Sequence, residues 1–303
     1  MRDRLDVRGD AARAFDVLTA GGVVLVPGDM GYGFVTASPE ALQRIFASKQ
    51  RAAHKRNGML GSWELHREVH VVGERAAAMI DTIVLDYDLP LGVVAPYRPE
   101  HPVIRAIPED TLRASTVNGT INLVLNAGRV HEELMKLARQ ATMPLLGSSA
   151  NLSGTGIKYR VSEIEPEILD IADLVLDYGL RRYHHYGRAS TLINFSSFEV
   201  VRAGCCYDLI ADILRRHFDW QLPADPGDAR APGGHLAAGR LRGFSRPTAP
   251  PLAVGPVFPR KQQPAPRGSG RPARPAPRPL PGSWGTFPRN AGSRFPRSTA
   301  RFR

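Results

Sequence analysis

Cysteine is nearly absent from these 303 residues: there are two, Cys205 and Cys206, side by side. Adjacent cysteines rarely bridge each other without strain, so no disulfide framework is expected, and no zinc site can be assembled from them. Buried or half-buried thiols in a reducing, cytoplasmic setting are the expectation. No apolar run approaches the roughly 18–20 residues that a bilayer span requires, so no membrane partner is expected. The opening residues, Met1 to Asp6, have no apolar stretch of the secretory-leader kind. Acid is scarce in one region only. Residues 221–303 hold two Asp or Glu against 15 Lys or Arg, a net of +13, while residues 1–220 carry 25 basic and 27 acidic side chains. The net charge of +11 and the pI of 10.2 therefore belong to the C-terminal segment. That segment also holds 17 of the 26 prolines. Such a composition cannot bury enough apolar surface to offset its ordering entropy. The expected organisation is one domain over residues 1–220 and a disordered, basic, Pro/Arg/Gly-rich tail over 221–303.

Within the first 220 residues, helical and strand-like periods alternate. Residues 9–20 place apolar side chains at helical spacing, and Gly21-Gly22 ends the run. Val23 to Val26 reads as a buried strand stopped by Pro27, and Phe34 to Thr36 as a second strand after a glycine-rich turn. Ser38 before Pro39 predicts an N-cap with proline at the first helical position. Further helices are predicted over 73–81, 131–140, 166–171 and 206–218. Strands are predicted over 91–95, 120–125, 143–146, 174–176, 190–195 and 198–201. Alternation of this kind implies a layered α/β architecture of the α+β type.

Four segments carry candidate chemistry. The first, Pro27-Gly28-Asp29-Met30-Gly31-Tyr32-Gly33-Phe34, follows a strand. Its three glycines allow close approach of a ligand to the backbone, or form a plain hairpin turn. The second is Lys49-Gln50-Arg51 at a helix end. Two cations there suit a phosphate or carboxylate, and equally complement a helix C-terminus. His54, Lys55 and Arg56 add charge nearby. The third, Gly147-Ser148-Ser149-Ala150-Asn151-Leu152-Ser153-Gly154, offers small donors and acceptors for a nucleotide phosphate or an amino acid, or is an ordinary polar loop. The fourth runs from Arg188 through Ser190 and Thr191 into a strand, with Arg202-Ala203-Gly204 closing the next. Ser190 and Thr191 suit hydrogen bonds to a ligand and Arg202 suits an anion, while a threonine equally suits any strand start. Tyr183-His184-His185-Tyr186 lacks further ligands at metal spacing and reads as a surface or lid loop.

In order and spacing, these segments resemble the YrdC-like family of threonylcarbamoyl-AMP synthases. The resemblance runs from about Gly9 to Gly204 and is carried best by residues 148–154 (SSANLSG), 45–51 (IFASKQR) and 189–195 (ASTLINF). It implies a twisted, largely parallel or mixed sheet with helices on both faces and a concave, positively charged face. It also implies a nucleotidyltransferase that makes threonylcarbamoyl-AMP and pyrophosphate from ATP, bicarbonate and L-threonine, with Mg2+, for a tRNA modification. By resemblance, Lys49 and Arg51 are catalytic. Ser149, Asn151, Ser190 and Arg202 bind the nucleotide, and Tyr32 lines the threonine pocket. The chain departs from the family pattern in four places. Gly28 and Met30 stand where the family has threonines, the stretch from Arg51 to Leu60 lacks the prolines that usually follow the K-x-R arginine, Asp86 to Leu91 replaces a W-P-G-P-x-T segment, and Asn126-Ala127-Gly128 lacks the basic residue of an R-x-P strand end.

Those departures keep a rival in view, a non-catalytic module that retains the fold and binds double-stranded RNA or tRNA through its basic residues. A carbamoyl-phosphate-using transferase is a third reading. Pyrophosphate release separates the first from the others. Removing either cation, Lys49 or Arg51, is expected to abolish nucleotide binding and leave the fold intact, as for exposed charges.

Overall fold

The computed structural model describes residues 5–50 and 57–227. Arg51, His54, Lys55, Arg56 and the tail beyond residue 227 lie outside the described residues.

Asp6 caps α1 (Val7–Thr19), its carboxylate accepting the Gly9 N–H at 3.0 Å. β1 (Val24–Gly28) and β2 (Gly31–Thr36) form a hairpin. α2 (Pro39–Ser48) begins as predicted, with Ser38 Oγ accepting the Ala41 N–H at 3.1 Å. Then come β3 (Gly58–Leu60), α3 (Trp63–Val69) and α4 (Glu74–Asp81), which runs into a π-helical turn over Thr82–Asp86. β4 (Leu91–Pro96), α5 (Pro102–Arg105), α6 (Glu109–Ser115), β5 (Thr116–Val117), β6 (Thr120–Leu125) and α7 (Arg129–Gln140) follow. The described chain closes with β7 (Leu146–Ser149), α8 (Pro166–Leu169), β8 (Leu174–Val175), β9 (Leu192–Asn194), β10 (Glu199–Arg202) and α9 (Tyr207–Phe218).

The strands make one mixed sheet in the order β10-β9-β4-β6-β3-β7-β2-β1-β8, with β5 paired to β6. Antiparallel pairings outnumber the parallel ones, which are β1–β8, β3–β6 and β4–β9. The expected stop at Pro27 does not occur, because β1 continues through it opposite Tyr32. Proline needs a sheet position where no N–H is called for. β8 supplies one, since it pairs only with Val24 and Leu25 and leaves the edge beside Pro27 open. The strand expected over 143–146 instead occupies Leu146–Ser149. The Met143 N–H bonds back to Ala138 O at 2.8 Å, which holds it in the cap of α7.

Register sorts the residues around the sheet centre. Met59, Leu123, Val93 and Ile193 pair across β3, β6, β4 and β9 and are fully buried. Their neighbours on the opposite face, Gly58, Asn122, Val94 and Asn194, are only half-buried. That face is the sheet's partly open side. Through the β2–β7–β3 pairing it continues to Gly147 and, two residues on, to Ser149. A second, smaller core packs Val23, Leu25, Tyr32 and Phe34 against Ala41 and Ile45 of α2.

Packing extends past Trp220. Leu222 is buried, the Tyr207 hydroxyl donates to Pro223 O at 2.7 Å, and Arg188 holds both carboxylate oxygens of Asp225 at 2.8 Å.

Candidate functional site

α2 ends at Ser48 with Lys49 as its C-cap, and the next residue, Gln50, is left-handed at φ 48°. That turn carries the lysine side chain inward, where it is 2% exposed. Its ammonium donates to Ser149 O, to Asn151 O at 2.7 Å and to Asn151 Oδ1 at 3.3 Å. Ser149 Oγ in turn donates to Asn151 Oδ1, and the Ser153 N–H bonds to Lys49 O at 3.1 Å. Lys49, Ser149 and Asn151 thus form one cluster. The expectation that Lys49 is an exposed cation, removable without effect on the fold, is corrected by this geometry. The lysine is the peg on which the 149–153 loop hangs.

Ser190 and Arg202 form a second cluster. The Arg202 guanidinium donates through Nε to Ser190 O at 2.8 Å and through Nη2 to Ser190 Oγ at 2.9 Å. No carboxylate pairs with it among the described residues, and burial pushes its pKa down to about 10. The chain can make this turn because Gly204 has no side chain. A Cβ there would lie 2.2 Å from Ala189 O. Cys205 lies against this pair, and its hydrogen bond with Cys206, together with burial, pushes its thiol well above the usual range. Both cysteines are free and buried. No hydrogen bond or ion pair joins the two clusters among the described residues.

Tyr32 belongs to neither cluster. Its side chain is fully buried, its hydroxyl donates to Gly179 O at 2.9 Å and accepts the Tyr178 N–H at 2.9 Å, and burial raises its pKa. The Arg181 guanidinium lies 5.7 Å from its ring centroid. Arg181 also fixes the glycine-rich turn, donating to Gly28 O at 2.9 Å and pairing with Asp29 at 3.4 Å. Sequence reasoning missed this role; the signal present was the basic pair Arg181-Arg182 just before the Tyr183-His184-His185-Tyr186 cluster. The missing hydroxyls at positions 28 and 30 have a packing counterpart. A Cβ on Gly28 would sit 2.8 Å from Gly31 O, and Met30 is buried in the main core. His184 and His185 lie on the surface, as expected of that loop.

An open cleft of about 320 Å³ lies beside the Asp29 turn, lined by Arg8, Asp88, Asn126, Arg129 and Arg182 among others. Its ionic groups largely satisfy one another: Arg182 reaches Asp29 at 3.6 Å and Asp88 at 3.5 Å, and Asn126 donates to Asp88 at 2.9 Å. Among the described residues, five buried side-chain atoms have no hydrogen-bond partner; those not singled out by the sequence include Asn122 Oδ1 on the partly open sheet face and the Tyr159 hydroxyl.

The family model Sua5/YciO/YrdC, described as telomere recombination, matches residues 16–204. Among solved structures, a hypothetical protein, smu.1377c, from Streptococcus mutans UA159 is 20% identical with a TM-score of 0.56, covering 69% of this chain and 92% of that one. P. abyssi Sua5 complexed with L-threonine is 18% identical with a TM-score of 0.56, covering 78% of this chain and 66% of Sua5. A variant of P. abyssi Sua5 is 20% identical with a TM-score of 0.53, covering 67% of this chain and 58% of that one. No curated protein sequence matches the chain. At these identities the structural likeness establishes the fold.

Proposed function

The chain belongs to the Sua5/YciO/YrdC family, and from that premise we propose that it binds ATP and a small amino-acid or carbamate substrate and joins them as a threonylcarbamoyl-AMP synthase does. The observation that carries this reading is Arg202. It is a partly buried guanidinium held by Ser190 alone, with no carboxylate partner among the described residues. A desolvated cation in that state is stabilised by an incoming anion, and guanidinium forks match phosphate oxygens.

In the proposed reaction a carbamate oxygen of N-carboxy-L-threonine, formed with bicarbonate, attacks the α-phosphorus of ATP, and the bond to the pyrophosphate oxygen breaks. Such chemistry needs orientation and charge neutralisation more than a protein nucleophile. Arg202 and Ser190 hold phosphate. Ser149 and Asn151 present hydroxyl and amide groups to the substrates, and Lys49 fixes the loop that carries them. Arg51 supplies the second cation of the Lys49-Gln50-Arg51 motif, and Tyr32 shapes the substrate end through the turn it supports. No three Asp, Glu, His or Cys side chains converge into a metal site among the described residues; Mg2+ would enter with the nucleotide and would supply charge neutralisation on the leaving pyrophosphate. A cytoplasmic location suits the two free thiols, and tRNA is the proposed downstream acceptor.

The test is pyrophosphate release by the full chain with ATP, bicarbonate and L-threonine, alongside calorimetric titration with ATP. Release that falls at least tenfold in Arg202→Ala, in a chain that is still folded at the assay temperature, is the expected result. ATP binding without release for any amino acid leaves a nucleotide-binding paralogue. Salt-sensitive binding of tRNA with no ATP binding overturns the enzyme reading in favour of an RNA-binding module.

A further inference from the structure

β6 reads Thr-Ile-Asn-Leu-Val-Leu, and its alternation buries Ile121, Leu123 and Leu125. Asn122 points to the other, partly open face. Asparagine is a poor strand former, and this one sits in a central strand between β3 and β4. Its side-chain oxygen is buried and accepts no hydrogen bond. A buried acceptor without a donor is rare in native proteins and calls for a specific cause.

The surroundings restrict that cause. Across β4, Asn122 pairs with Val94. On the β3 side it faces Gly58, which pairs in turn with Gly147; the Phe34 carbonyl fills the side-chain place at Gly147, so Gly58 is the position that leaves bare backbone beside Asn122. Val124, next on the same face of β6, is apolar and half-buried. None of these described neighbours is charged, so none of them pairs with a phosphate or carboxylate. A flat, neutral ring with an N–H at its edge fits: Gly58 leaves the face level beside Asn122, Val94 and Val124 flank it, and the amide oxygen takes the N–H.

We propose that Asn122 reads the base of the bound nucleotide, its Oδ1 accepting a hydrogen bond from the 6-amino group of adenine. This rests on the nucleotide-binding reading above and adds to it the residue that selects the base. A 6-oxo purine presents an oxygen at that position, which meets the Asn122 oxygen with no proton between them. Sites built around a hydrogen bond discriminate against analogues that lack it.

Titration of the full chain with ATP, inosine triphosphate and the 6-unsubstituted purine riboside triphosphate tests the assignment without any variant. ATP binding about tenfold tighter than either analogue is expected, the scale of one well-made hydrogen bond. Asn122→Val removes the orphan oxygen and suits a strand. It is expected to melt no lower than the parent, to keep its affinity for inosine triphosphate, and to lose the preference for ATP. Equal affinity of the parent for all three nucleotides overturns the assignment, as does a preference that survives in Asn122→Val. If the parent binds none of the three, the nucleotide reading itself fails and this assignment falls with it.

Discussion

A lysine with 2% of its surface exposed must find protein acceptors for its ammonium, and Lys49 finds them in the carbonyls of Ser149 and Asn151. Removing it strands those acceptors away from water, at a cost of roughly 1–3 kcal/mol for a buried unsatisfied group. Lys49→Met is therefore expected to lower the melting temperature and to speed amide exchange over residues 149–153, even without nucleotide. An unchanged melting temperature with unchanged exchange would show the ammonium to be dispensable for the loop. The motif around Lys49 was visible in the sequence because lysine, serine and asparagine stand out at fixed spacing. What the lysine touches was not visible, since a cation at a helix end is equally well placed in solvent. Asn122 and Tyr159 were invisible for a related reason. An orphaned polar atom is defined by what surrounds it in space, and no local pattern records that. The glycine at position 28 reads as a lost hydroxyl in sequence. In the fold it is also a steric requirement, because the Gly31 carbonyl occupies the place a side chain would need.

At the scale of elements, α3 and β6 are joined by two buried histidines. His70 Nε2 lies 3.3 Å from Ile121 O, and only a protonated nitrogen can donate to a carbonyl. His70 Nδ1 must then accept, so the 2.8 Å contact between the two rings runs from His66 Nδ1–H to His70 Nδ1. His66 Nε2 is left bare, buried and without a partner. Burial lowers the pKa of His66 to about 4 and that of His70 to about 3. In the unfolded chain both titrate near 6.5, so below that pH the unfolded state binds protons that the folded state refuses. Stability is complete above about pH 6.5 and declines as pH falls through the window down to about 4, by at most roughly 1.4 kcal/mol per pH unit for each ring. The urea midpoint is expected to drop between pH 7 and pH 5, and identical midpoints would refute the neutral pair. α3 itself was not foreseen. It is seven residues long, with His66 inside it and His70 as its C-cap, so it lacks the apolar period that made α1, α2, α7 and α9 legible. Its start was encoded, in Ser62 accepting the Leu65 N–H at 3.2 Å. The strands of β4 and β6 were legible as runs of branched residues. β3 was not, because it is three residues long and begins with glycine.

For the whole molecule, the division of charge decides how the chain meets a polyanion. Residues 228–303 carry fifteen Lys or Arg and one Asp, while the preceding residues carry 25 basic and 28 acidic side chains. Lys and Arg that neutralise phosphates release counterions, so binding through them weakens steeply with salt. The nearly neutral remainder has no comparable long-range attraction for tRNA. The full chain is therefore expected to bind tRNA more tightly than a chain ending at Gly227 at 50 mM salt, with the two affinities converging near 200 mM, the range over which multi-phosphate contacts lose most of their strength. Pyrophosphate release with ATP, bicarbonate and L-threonine is expected to be the same for both chains, because every site residue proposed here precedes residue 204. Filter binding at the two salt concentrations decides the matter. A gap that persists unchanged at 200 mM would mean that the C-terminal segment makes specific contacts beyond its charge, and equal affinities at 50 mM would leave it with no part in meeting RNA.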